Sequence, residues 1–189
     1  MADNKISVLD YELYIIQTMK DAPEECVDAA LQRAGVDRAR MERSYHIVDQ
    51  QNFAVRPAYE EKSRILGPPV REGVREIHGR EAPMRSFFLP LWEDFLLDIY
   101  ATPDGRVWDE RFSRAPGRSA ARASKPSGLK PWSFTKEEVK SQFSELEDDE
   151  LWPPYESASL RYRGPDGKHH VYEVIFSWGL LQDVNPIEP

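Results

Sequence analysis

Two Pro-Asp-Gly turns, Pro103–Gly105 and Pro165–Gly167, constrain what this chain can fold into more than any other feature. Proline sets φ for the first corner position, aspartate tolerates the second, and glycine takes the positive φ that closes a three-residue hairpin loop. Runs that alternate apolar and polar residues flank both turns, and this is the period of a strand with one buried face. The sequence therefore predicts two β-hairpins, within residues 85–113 and 156–178.

Helical patterns occupy residues 1–50 and the region after Phe134. In the first part, Ser7 can cap a helix whose apolar residues recur at helical spacing, and further short helices follow. Thr135 and Glu138 have the spacing of a capping box and predict a long helix over 135–151 with an acidic second half. Between these parts the prolines interrupt the pattern, and Val70, Val74 and Ile77 predict one short helix.

These elements predict an α+β fold, with N-terminal short helices packed on a mainly antiparallel sheet built from two hairpins, plus one long acidic helix. The 189 residues have the size of one domain, so we expect residues 1–189 to form a single domain. Residues 114–131 are rich in small and basic side chains, and this composition is typical of a flexible basic loop.

The charge balance favours some partners over others. The chain has 33 acidic and 25 basic residues, a formal net charge of -8 and a mean hydropathy of -0.64. An acidic surface repels nucleic-acid phosphates and attracts basic proteins. No apolar run reaches the ~20 residues of a membrane span, and the start lacks the apolar core of a secretory signal. One cysteine, Cys26, can form no internal disulfide. We therefore expect a cytoplasmic protein with no membrane association.

Known catalytic patterns are missing from the sequence. No phosphate-cradling glycine loop and no GxSxG elbow is present. His169 and His170 are adjacent on a predicted strand and leave opposite faces, while His78 lacks the second histidine of a zinc helix. We therefore predict no enzyme activity, no metal and no cofactor. Carboxylate pairs such as Asp98 with Asp109 leave a hydrolase with an unrecognised site as an alternative.

Residues Ala30–Asp37, with Met41 and Tyr45, carry a resemblance. The segment resembles the helix-turn-helix of TetR-type repressors, in which an Ala-Gly-Val turn precedes a recognition helix. The resemblance implies a DNA-binding regulator in which Arg38, Arg40 and Arg43 face DNA. Two packed helices joined at Gly35 produce the same spacing without DNA.

An acidic run ending in tryptophan provides the candidate binding residues. Negative charge at a helix C-terminus costs stability, which indicates either a functional surface or a solvated face. Tryptophan beside charge is typical of interface centres. The sequence predicts a non-enzymatic inhibitor, like an immunity or anti-defence protein, that blocks a basic toxin or effector enzyme. The predicted partner-binding residues are Glu145, Glu147, Asp148, Asp149, Glu150 and Trp152.

Overall fold

The computed structural model describes residues 6–54, 59–77, 79–152 and 154–187. Five α-helices and eight β-strands lie within them. The helices are α1 (Val8–Thr18), α2 (Glu24–Ala34), α3 (Arg38–Ala54), α4 (Tyr59–Leu66) and α5 (Lys136–Gln142). The strands are β1 (Arg71–Ile77), β2 (Arg80–Phe88), β3 (Phe95–Ala101), β4 (Val107–Arg114), β5 (Leu146–Trp152), β6 (Tyr155–Arg163), β7 (His169–Ser177) and β8 (Leu180–Ile187).

The strands form two antiparallel sheets of four, and in each sheet the spatial order follows the chain order. The first sheet, β1 to β4, belongs to a compact unit that contains the chain up to Thr18 together with Asp28–Ala115. The second sheet, β5 to β8, belongs to a unit that contains Met19–Val27 and the chain from Pro116. The α+β class and the helices that precede the sheets are confirmed. The two hairpins lie in separate antiparallel sheets and not in the one sheet that the sequence predicts. The single domain over residues 1–189 stays a prediction.

Both predicted hairpins are confirmed, and both turns have the same geometry. Gly105 and Gly167 have φ values of +78° and +77°, the left-handed region that glycine tolerates best. The N–H of Gly105 donates to the carbonyl of Thr102 at 2.9 Å, and that of Gly167 donates to the carbonyl of Gly164 at 2.9 Å. The first turn joins β3 to β4 and the second joins β6 to β7.

Helix α1 is fixed at its start by Ser7, as the sequence predicts. The backbone N–H of Asp10 donates to Ser7 Oγ at 3.1 Å, and the Ser7 N–H donates to the Asp10 carboxylate at 3.0 Å. This reciprocal pair satisfies two backbone donors at the helix start. The helix packs against α3, and its buried side includes Leu13, Ile15 and Ile16.

A buried polar network ties α1, α4 and β4 together. Lys62 is 2% exposed, and its Nζ donates to the Tyr11 hydroxyl at 2.5 Å. The Tyr11 hydroxyl donates in turn to Glu110 at 2.7 Å, and Lys62 Nζ lies 3.2 Å from the same carboxylate. Burial and the Glu110 charge raise the pKa of Tyr11 well above its ordinary value. The network therefore holds one positive and one negative charge, bridged by a neutral phenol.

The second unit has its core on one face of its sheet. Helix α5 and the segment before it cover this face, and Val139 of α5 belongs to the same buried cluster as the strand residues Leu160 and Phe176. Residues 114–131, predicted as a basic loop, contribute Leu129 to the same core. The Ala123 N–H also donates to the Gln142 side chain at 2.9 Å.

The predicted long acidic helix is corrected by the structure. Helix α5 ends at Gln142, Phe143 is extended with φ -127° and ψ 97°, and the acidic part of 135–151 lies in strand β5. In a helix, carboxylates three and four residues apart would repel one another beside the negative end of the dipole. The strand separates neighbouring carboxylates onto opposite faces and lets Leu146 enter the core beside Leu160.

The predicted short helix around Val74 is wrong. Residues Arg71–Ile77 form β1, which pairs with β2 so that Val74 lies opposite Pro83. The spacing of its few apolar residues fits a helix, but pairing with β2 provides the backbone hydrogen bonds instead.

Thr135→Ala is expected to lower the free energy of unfolding by about 1 kcal/mol, the usual cost of losing a helix cap. The Thr135 side chain accepts from the Glu138 N–H, and the Glu138 side chain accepts from the Thr135 N–H, so the predicted capping box is confirmed. Urea unfolding of both proteins measures the change. Ser141→Ala, later in the same helix, is the matched control. Equal stability of Thr135→Ala and the wild type would contradict a stabilising cap.

Candidate functional site

Strand β5 places the predicted acidic residues on different faces of the second sheet. Glu147 pairs with Ser159 and Asp148 pairs with Ala158, so these two neighbours point to opposite faces. The register then shifts between Asp148 and Glu150. Ser159 donates to the Asp149 carboxylate at 2.7 Å, which places Asp149 on the same side as Ser159. The face that carries Glu147 and Asp149, away from the core, is called the open face below.

Asp148 lies on the other face and takes part in an internal ion pair. Lys136 Nζ is 2.8 Å from the Asp148 carboxylate and also pairs with Glu156. Burial favours the neutral amine, but hydrogen bonds and charge from Asp148 and Glu156 outweigh it and raise the pKa of Lys136. The structure therefore separates Asp148 from the other predicted binding residues.

A groove of about 450 Å³ lies on the open face. Trp152 stands beside it with 77% of its surface exposed, the largest fraction among the large hydrophobic side chains described. Trp152 and Tyr155 are directly paired across β5 and β6, so the groove has two neighbouring aromatic side chains. The lining residues are Asp21, Asp149, Trp152, Tyr155, Glu156, Ser157, Glu173 and Ile175.

The groove is negatively charged. Among the described residues, neither Asp21 nor Glu173 has a basic partner in an ion pair, and Asp149 is held only by the Ser159 hydroxyl. Outside the groove, Arg161 lies 3.4 Å from Glu147 with both side chains more than half exposed. An ion pair of this kind is weak in water. The open face therefore keeps an excess of carboxylates that the fold itself does not neutralise.

The Lys20 ammonium lies near an aromatic ring of the groove. Lys20 Nζ lies 5.7 Å from the centre of the Tyr155 ring, within the range of a cation–π contact. Lys20 and Asp21 belong to Met19–Val27, which is part of the same compact unit as the second sheet. The connection between α1 and α2 thus contributes one cation and one carboxylate to this site.

The remaining predicted residues lie at the ends and middle of the acidic strand. Glu145 precedes β5 and is exposed, and its carbonyl accepts a hydrogen bond from the Arg161 N–H at 3.0 Å. Glu150 pairs with Ser157 in the strand register. Asp21 and Glu173 line the groove but were not among the binding residues predicted from the sequence. The alternation along β7 could have indicated Glu173, because it places Glu173 opposite Ser159, whereas no local pattern indicates Asp21.

A second cavity, of about 630 Å³, lies in the first unit and contains a buried carboxyl group. Glu12 is 2% exposed and accepts a hydrogen bond from the Leu91 N–H at 2.6 Å. Burial raises the pKa of Glu12 to about 7, although the Leu91 hydrogen bond and the Arg33 charge oppose the shift. Arg33 donates to the carbonyl of Leu91 at 3.3 Å. Glu12 and Arg33 therefore bind the N–H and the carbonyl of Leu91. This structural role accounts for the buried carboxyl.

The segment that resembles a helix-turn-helix holds two of its arginines in ion pairs within the protein. Gly35 has a φ of +66° between α2 and α3, as the spacing requires. Arg38 pairs with Asp28 at 2.7 Å, and Arg40 pairs with the Asp10 carboxylate at 2.6 Å. These ion pairs neutralise positive charge that contacts with the phosphates of DNA would require.

Metal centres and membrane-spanning helices are the other features to consider in the part of the chain that the structure describes. In that part, no group of three or more histidine, cysteine, aspartate or glutamate side chains could hold a metal ion. His78, which lacks the second histidine of a zinc helix, lies outside the described residues. None of the described helices combines the length and apolar character needed to cross a bilayer.

No protein-family model and no curated protein matches this sequence. One solved structure matches, described as a "putative beta-lactamase inhibitor protein from Streptococcus mutans". The two chains are 12% identical, and the match covers 69% of this chain and 82% of that chain with a TM-score of 0.28. A likeness this low carries no argument about function.

Proposed function

We propose that this protein is a non-enzymatic inhibitor that binds a basic protein through the open face of its second sheet. One observation carries the proposal: a tryptophan with 77% of its surface exposed stands beside a groove in which Asp21, Asp149 and Glu173 have no basic partner among the described residues. The proposed surface contains Glu147, Asp149, Trp152 and Glu173, flanked by Glu145 and Glu150. Asp148 is left out because it pairs with Lys136.

The exposure of Trp152 supports a binding role. A tryptophan side chain buries 150–250 Å² when it is covered, and leaving that area in water forgoes roughly 25 cal/mol for each Å² of apolar surface. Tryptophan is also among the residues that most often dominate the energy of protein interfaces. A partner that covers Trp152 would therefore gain the free energy of burying apolar surface that folding leaves in water.

The charge of the open face supports a basic partner. The chain carries a net charge of -8, and an acidic surface steers a basic protein toward it and speeds association. Enzymes that act on nucleic acids or nucleotides have basic sites, because their substrates are anionic. A cytoplasmic inhibitor of such a toxin or effector enzyme, comparable to an immunity or anti-defence protein, needs an acidic surface of this kind.

The test compares two triple charge reversals with the same change in net charge. Affinity capture from the native host with the full chain identifies a partner, and binding kinetics are then measured with the purified partner. Glu147→Lys/Asp149→Lys/Glu173→Lys is expected to weaken binding at least tenfold, mainly through slower association. The control, Glu42→Lys/Glu76→Lys/Glu81→Lys, reverses three exposed carboxylates of the first unit and is expected to change affinity less than threefold.

A second pair of variants distinguishes direct contact with the partner from electrostatic steering of its association. Trp152→Ala is expected to speed dissociation about tenfold or more, whereas Val74→Ala, at a residue that is 62% exposed in the first sheet, should have no effect. If both triple reversals weaken binding equally and Trp152→Ala binds like the wild type, the open face is not the binding surface.

A further inference from the structure

The groove on the open face combines aromatic surface with negative charge. Trp152 and Tyr155 lie next to each other as a cross-strand pair. Ile175 adds apolar surface, and Asp149 and Glu173 add carboxylates. A side chain that fits this lining must have a long apolar stem and a cationic end, as lysine and arginine have.

The chain itself places a cation near one aromatic ring of the groove. Lys20 Nζ lies 5.7 Å from the Tyr155 ring centre although Lys20 is an exposed side chain that water could solvate fully. Asp21, the next residue, lines the same groove. A contact at this distance with an exposed lysine is weak, so a better cation can replace it.

We propose that the groove receives one arginine side chain of the protein partner, which replaces Lys20 on the face of Tyr155. This inference rests on the proposed function, since it names what the partner inserts into that surface. In the free protein Lys20 lies over the Tyr155 ring, and it moves away from the ring when the partner binds.

Arginine fits the groove better than lysine for two reasons. Its planar guanidinium stacks on aromatic rings, and Trp152 and Tyr155 together present two. It also has five N–H donors in a fixed fork that suits bidentate binding to a carboxylate such as Glu173 or Asp149. A lysine ammonium is a compact, strongly hydrated charge, so it loses more hydration free energy than a guanidinium when it leaves water.

The test uses the full chain and three synthetic heptapeptides that alternate glycine with arginine, lysine or citrulline. Citrulline has nearly the shape of arginine but no charge. The five tryptophans give separate indole N–H signals in an NMR spectrum, and Trp152→Phe identifies the signal of Trp152. We expect the arginine peptide to shift this signal with an affinity at least threefold higher than the lysine peptide. The citrulline peptide should produce no saturable shift.

Removal of Lys20 tests the replacement step. Lys20→Met is expected to raise the affinity for the arginine peptide about threefold, because the competing cation is gone. Lys168→Met removes the same charge from an exposed turn of the same unit and should change the affinity less than 1.5-fold. An equal gain in the two variants would reflect general electrostatics and would overturn the replacement of Lys20.

The outcomes separate this inference from the proposed function. Equal binding of the arginine and lysine peptides, or no shift of the Trp152 signal, overturns the arginine inference even if the charge reversals on the open face still weaken the partner complex. If those reversals have no effect on the partner complex, the proposed function fails whatever the peptides do.

Discussion

Lys62→Met is expected to lower the free energy of unfolding by about 3–5 kcal/mol, the usual cost of removing one member of a buried ion pair. The Lys62 side chain is 3% exposed and that of Glu110 is 16% exposed, so water replaces the lost ammonium only poorly. The Tyr11 hydroxyl, 0% exposed as a residue, also loses a donor. Methionine keeps most of the volume, so the loss reports charge and hydrogen bonding more than an empty cavity.

Urea unfolding at neutral pH measures this loss, and a triple variant provides the control. Lys62→Met/Glu110→Met/Tyr11→Phe removes the whole network and leaves no buried charge without a partner. Its stability is expected to recover most of what Lys62→Met loses, since an apolar replacement of a buried ion pair is often neutral or stabilising. A loss below 1 kcal/mol in Lys62→Met would show that water solvates Glu110 after all.

Glu12→Gln is expected to remove a pH dependence of stability worth about 3 kcal/mol. Burial raises the pKa of Glu12 to about 7, against an ordinary value of 4.5. Between these two pH values the folded protein holds a proton on Glu12 that the unfolded chain has released. Stability from this group is therefore greatest below pH 4.5, falls as the pH rises to about 7, and stays low above it. Glutamine keeps an oxygen for the Leu91 N–H but cannot ionise.

Unfolding free energies at pH 5 and pH 8 test this prediction in both proteins. The difference between the two pH values is expected to be about 2–3 kcal/mol more in favour of pH 5 in the wild type than in Glu12→Gln. Comparing the differences cancels the other titrating groups. Parallel pH profiles of the two proteins would mean that Glu12 titrates at its ordinary pKa.

Local chemistry allowed the correct sequence predictions. The two hairpins follow from turn residues that permit few alternatives, and Gly105 and Gly167 have the positive φ that those turns need. Ser7 and the pair of Thr135 and Glu138 form the caps that their spacing predicts. Each of these features depends on residues fewer than four positions apart, so no knowledge of the tertiary structure is required.

The wrong predictions depended on distant partners. The residues after Gln142 form a strand because β6 lies beside them, and nothing within the acidic run specifies that neighbour. The same holds for Arg71–Ile77 and β2. In the candidate site, Trp152 and Asp149 were found from their own residue types, whereas Glu173 and Asp21 reach the groove through strand register and the connection after α1.

The strand order has a consequence for how the chain assembles. Neighbours in each sheet are also neighbours in the sequence, so each pair of strands can begin to form its hydrogen bonds next to a short connection. Contacts between residues close in sequence favour rapid folding. The bond between Tyr11 and Glu110 instead spans 99 positions, and closing so long a loop carries a larger entropy cost than closing a hairpin. Docking of α1 onto the first sheet is therefore expected to follow hairpin formation, and slow-folding variants should map to that junction.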